Sequence, residues 1–128
     1  KMYANNPYSN YKKNSIAAVT QEQLLLMLVD GAVKYTKIAR LALIENNIPR
    51  AHKELVRVQD IFFELMVTMD KSAGTYMEDL YNIYEFIKNE LALANVNKDV
   101  KKVEEVLPLI EEIRDMWYEV DKKVKGIS

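Results

Sequence analysis

Ala51, Leu55, Val58, Phe62, Leu65 and Met69 recur at intervals of four, three, four, three and four residues. Only an α-helix brings that spacing onto one face, and a helix with a continuous apolar face must cover it with other helices. Three further stretches share the period. Thr20 to Ile44 presents Leu24, Leu28, Ala32, Tyr35, Ala39 and Ala42, and a stretch opening at Thr75 presents Met77, Leu80, Tyr84, Ile87, Leu91 and Ala94. Val100 to about Lys125 presents Val103, Val106, Ile110, Ile113, Trp117, Val120 and Val124. Short connections between such helices make sequential ones antiparallel. The expected fold is all-α, an up-down-up-down four-helix bundle over residues 20–128, preceded by a mobile N-terminal arm over residues 1–19.

The boundaries follow from local chemistry. Thr20 and Gln23 form a capping-box pair at the start of the first helix. Gly31 inside that helix costs on the order of 1 kcal/mol against alanine, which predicts a neighbouring backbone or side chain approaching there. Asn46 to Pro49 supplies a short connection and a proline for the first helical position of the second helix. Thr75 with Glu78 reads as another capping box, and Asp99 as the N-cap of the last helix. Pro108 falls inside the last stripe without shifting its phase, so a bend and not an end is expected there.

Composition removes several classes of function. Cysteine is absent and the net charge is −1, which leaves no disulfide framework and no net field to draw in nucleic acid. The longest apolar run, Leu24 to Val29, is too short for membrane insertion. Lys1 to Thr20 is polar and tyrosine-rich with no apolar h-region, so a cytoplasmic setting is expected.

No cofactor, metal or catalytic site is expected either. There is no glycine-rich phosphate loop, and the single histidine, His52, has Pro49 where a di-iron bundle would need a glutamate. His52 does invite comparison with histidine phosphotransfer bundles. The residues that follow it, Lys53, Glu54 and Leu55, put a carboxylate where a phosphoryl group would be repelled and lack the glycine that admits a partner. The chain is therefore expected not to be an enzyme.

What remains is apolar surface beyond the four stripes. The rows Leu25, Val29, Val33, then Val56, Phe63, Val67, then Tyr81 and Phe86 lie outside them and are expected to form a groove for a partner helix. The arm holds Tyr8 and Tyr11, three residues apart, as candidates for a second docking element. From the residues alone this is a bundle that binds an amphipathic peptide or itself.

A family resemblance runs along most of the chain. It is carried by Asn6-Pro-Tyr8, Tyr11 to Ser15, Thr20 to Leu25, Met27 to Ala32, Ala51 to Leu55, Val58 to Ile61, Ile83 to Phe86, Ala94-Asn95, Val103 to Val106 and Arg114 to Trp117. In order and spacing these resemble the flagellin-specific export chaperones, the FliS family. Val29 departs from the pattern where an aromatic residue usually precedes Asp-Gly, as does the lone Gly74 in place of a Gly-Gly pair. The resemblance implies a cytosolic protein that holds the disordered C-terminal region of flagellin against polymerisation and delivers it to the flagellar type III export gate. It also implies that Tyr11 and Tyr8 of the arm take part in docking to a component of that gate. Self-association stays open.

Overall fold

The computed structural model describes residues 20–70, 72 and 74–126. The expected arm, with Tyr8 and Tyr11, lies outside the described residues. Four helices follow in order: α1 (Gln21–Ile44), α2 (Ile48–Val67), α3 (Thr75–Asn97) and α4 (Val100–Val124). α1 packs on α2 and α4, and α3 packs on α2 and α4, which makes a ring of antiparallel neighbours with α1 opposite α3. There is no strand among the described residues, and no described helix is long and apolar enough to cross a membrane.

Two of the three caps expected from the sequence are formed, those at Thr20 and Asp99. The Thr20 hydroxyl accepts from the Gln23 amide at 3.0 Å while the Gln23 side chain accepts from the Thr20 amide at 3.0 Å. Asn47 caps α2 and Asp99 caps α4 through their side-chain oxygens. Because Asn47 is the cap, Ile48 opens α2 and Pro49 stands one position later than expected, still where no amide partner is required. The Thr75 capping box is not formed. Gly74, at φ 130°, turns the chain into α3 one residue earlier, and its carbonyl takes the Met77 and Glu78 amides at 3.1 and 3.3 Å. α4 continues through Pro108, as its unbroken stripe required.

In three of the four stripes most positions are core, the ends excepted: Met69, Met77 and Trp117 are half-buried, and Val120 and Val124 at the end of the α4 stripe are exposed. Ala51, Leu55, Val58, Phe62 and Leu65 of α2 are buried, as are Leu80, Tyr84, Ile87, Leu91 and Ala94 of α3 and Val103, Val106, Ile110 and Ile113 of α4. The Phe62 and Tyr84 rings meet edge to face, centroids 5.9 Å apart.

α1 corrects the reading. Val29 and Val33 are 1% and 4% exposed, so this row is core and not surplus, while Leu24 of the expected stripe is 43% exposed. The cause is α4. Arg40 and Lys37, on the same side of α1 as Val33, reach Glu104 at 2.7 Å and Glu111 at 3.6 Å on α4, which therefore covers the valine row. The other flank of α1 meets α2, where a side chain on Gly31 would stand 3.3 Å from Ile61 Cδ1. The glycine marks the close approach that its helical position predicted.

Candidate partner-binding surface

The four seams of the ring differ in chemistry. Between α1 and α4 the seam is polar: besides the two ion pairs, the Tyr118 hydroxyl donates to Asp30 at 2.6 Å, and that bond pushes the phenol pKa up. Between α1 and α2, Arg57 stacks 4.4 Å over the Tyr35 ring and, with Arg50, holds the buried Glu54 carboxylate at 3.4 and 2.9 Å. Between α2 and α3, His52 meets the buried Asn95, Nδ1 to Nδ2, at 3.0 Å. His52 is thus an exposed side chain tied to the next helix.

The α3–α4 seam is open and apolar. A groove of about 350 Å³ runs along it, lined by Tyr76, Asp79, Leu80, Ile83, Leu109, Glu112, Ile113 and Met116. Its floor is the core pair Leu80 and Ile113, while Tyr76, Ile83 and Leu109 are 61%, 44% and 36% exposed. The Tyr76 hydroxyl donates to the Met116 sulfur at 2.9 Å across one end. Lys102 and Glu90 close the seam near the other at 2.9 Å. Phe86, 51% exposed, stands one turn beyond Ile83, and Leu93 two turns further, so the apolar strip outruns the groove.

A second hollow opens at the end of the bundle where α1 and α3 begin and α2 and α4 finish. It holds about 310 Å³ and is walled by Leu24, Leu25, Leu28, Leu65, Met69, Met77, Trp117, Val120 and Val124, with Tyr84 within. The last turns of the α4 stripe frame this hollow instead of filling the core, which is why Val124 is 69% exposed. Asp121 on its edge gives one oxygen to Lys125 at 2.9 Å, and its other oxygen is buried without a partner among the described residues.

The expected groove residues are thus dispersed. Leu25 belongs to the end hollow and Val29 and Val33 to the core. Val56, Phe63 and Val67 are exposed at 37%, 56% and 60% and form a row on the outside of α2 that the exposed Asp60 interrupts between Val56 and Phe63. Phe63 lies eleven residues, three turns, after His52, so the row leans toward α3. Tyr81 is half-buried, and Phe86, five residues on, lies about 140° round α3 from it, beside α4. Leu109, Met116, Ile83 and Tyr76 complete the groove. Sequence reasoning placed none of them there, although Leu109 and Met116 share a seven-residue interval off the α4 stripe.

No group of three or more acidic, histidine or cysteine side chains that could hold a metal occurs among the described residues. What the surface offers chemically is apolar area in concave form.

Known proteins match this arrangement along nearly its whole length. The family model described as "Flagellar protein FliS" matches residues 4–124. The chain is 28% identical over 116 residues to "Flagellar secretion chaperone FliS" of Bacillus subtilis (strain 168), covering 91% of this chain and 86% of that protein. It is 30% identical over 109 residues to the protein of the same description in Escherichia coli (strain K12), covering 84% and 80%. In fold it is similar to a structure described as "Crystal structure of flagellar chaperone from bacteria", with a TM-score of 0.74 at 14% identity over 91% of this chain and 95% of that one.

Proposed function

The chain belongs to the FliS family of flagellar secretion chaperones, and we propose that its client is the disordered C-terminal region of flagellin, held on the outside of α2, α3 and α4. The observation that carries this reading is the α3–α4 groove with its exposed Tyr76, Ile83 and Leu109, extended by Phe86 on α3. Apolar rows of this length at helical spacing suit the apolar face of a client helix, and covering them keeps that face from other flagellin chains. The row Val56, Phe63 and Val67 gives a second helix of the same client a place beside the first. Binding, and not catalysis, is the function. The protein works in the cytoplasm and passes its client to the flagellar type III export gate, with Tyr8 and Tyr11 of residues 1–19 docking to a gate component.

Titration calorimetry with a flagellin C-terminal peptide tests the reading. Burying a Phe or Leu side chain contributes roughly 1.5 to 3 kcal/mol, so Phe86→Ala and Leu109→Ala should each weaken binding by about tenfold or more. Circular dichroism should show both variants folded, because neither side chain is in the core. Folded variants that bind as tightly as the parent chain would overturn this choice of surface.

A further inference from the structure

The near-neutral chain is not neutral helix by helix. α3 carries four acidic side chains and one lysine, and α4 carries seven acidic and five basic ones, whereas α1 has two acidic and three basic. Part of this excess is ordered on the groove. Glu105, Glu112 and Glu119 stand at seven-residue intervals on α4, all exposed, alongside the apolar pair Leu109 and Met116 at the same interval. Glu112 and, from the α3 side, Asp79 line the groove itself. Glu105 and Glu112 make no ion pair among the described residues, and Glu119 has only Lys122 one turn away at 3.6 Å. Among the described residues the cation that crosses the seam is Lys102, already paired with Glu90. Lys101 and Lys123, one turn before Glu105 and one turn after Glu119, bound the acidic row at its ends and leave its centre at Glu112 without a cation on that face.

From the charge order along this groove we infer that the helix it takes carries lysine or arginine at about seven-residue intervals beside its apolar row. The inference rests on the α3–α4 groove being a docking site and adds which helices it selects. A seven-residue apolar repeat keeps one seam between two helices in register, and the flanking charges then decide which partner fits and in which direction. Exposed rim charges act mainly on encounter rate and on discrimination between partners, so a helix with acidic flanks is turned away even where its apolar row fits.

Two labelled amphipathic peptides of about twenty residues, enough to lie along three turns either side of Glu112, separate the possibilities by fluorescence anisotropy. Both carry leucine at the apolar heptad positions, one with lysine and one with glutamate beside them. With the full chain at low ionic strength the lysine peptide should bind about tenfold tighter, and the gap should close in about 0.5 M salt. The double variant Glu105→Lys, Glu112→Lys should invert the preference, and the remote Glu45→Lys should leave it intact. Leu109→Ala should weaken both peptides together, which reads the groove and not the charge. If both peptides bind equally and the double variant changes nothing, the charge inference falls while the groove stands. If neither binds, or Leu109→Ala affects neither, the groove itself is refuted. If Glu45→Lys shifts the preference as much as the double variant, general charge is responsible and the ordered row is not. Sedimentation that shows a dimer broken by Leu109→Glu would overturn it in favour of a second copy of the chain.

Discussion

The Trp117 indole N–H donates to the Tyr84 hydroxyl at 2.8 Å, joining α4 to α3 beneath the hollow at the end of the bundle. Tyr84 is 1% exposed and its ring meets Phe62 of α2, so one hydrogen bond and one ring contact tie three helices together. A tyrosine hydroxyl this deep needs its partner. Trp117→Phe should therefore cost about 1 to 3 kcal/mol of stability in chemical denaturation, and adding Tyr84→Phe should recover part of that loss by removing the orphaned hydroxyl.

The same burial makes a pH prediction. Removal from water pushes the Tyr84 phenol from 10.0 up to about 12, with the Trp117 bond opposing the rise. The folded value lies above the unfolded one, so the contribution is fully present below pH 10 and is lost as pH rises toward 12. That window should cost up to about 2.7 kcal/mol. Thermal melts at pH 9, 10 and 11 should show the parent chain losing stability faster than Tyr84→Phe; parallel losses would refute the assignment.

Glu54 is a buried carboxylate held between two partly exposed arginines, Arg50 and Arg57. Which partner is removed decides the cost. Glu54→Ala leaves two arginines that can turn to water, whereas Arg50→Ala with Arg57→Ala leaves the carboxylate buried and unpaired. The second change should destabilise by about 3 to 5 kcal/mol and the first by clearly less, measured by urea denaturation.

Gly31 sets the α1–α2 distance. An alanine Cβ would sit 3.3 Å from Ile61 Cδ1 and 3.5 Å from Tyr35 Cε2, so a few tenths of an ångström of adjustment should offset much of the roughly 1 kcal/mol helix-propensity gain. Gly31→Ala should be near neutral. Gly31→Leu should cost about 1 to 3 kcal/mol or more by forcing the two helices apart.

These sites also mark where the fold was legible. α2, α3 and α4 each bury one face, and a single period in the sequence reports one buried face. α1 sits in a wedge between α2 and α4 and buries two adjacent rows, so its second row looked like spare surface although Val29 and Val33 are core. The groove was harder still. Phe86 showed itself as a large apolar residue off the stripe, but Leu109 and Met116 gain meaning only once α3 is known to lie beside them. The false capping box at Thr75 has a smaller cause, since Gly74 adopts a backbone angle that no propensity of Thr75 could reveal.

Adjacent phenylalanines give the sharpest separation of stability from binding. Phe62 is wholly buried against Tyr84, and Phe63 is 56% exposed in the row with Val56 and Val67. Phe62→Ala opens a cavity in the core and should cost about 3 to 5 kcal/mol, weakening client binding only through unfolding. Phe63→Ala should change stability by no more than about 0.5 kcal/mol, as surface substitutions do. If the α2 row takes part in holding the client, it should still weaken binding of the flagellin C-terminal peptide by about tenfold. Val29→Asp belongs with Phe62→Ala: a carboxylate at a position 1% exposed should unfold the bundle and is no probe of the surface. Calorimetric binding curves for the two alanine variants, each beside its own denaturation curve, decide the matter. A Phe63→Ala chain that is folded and binds like the parent would confine the client to the α3–α4 groove.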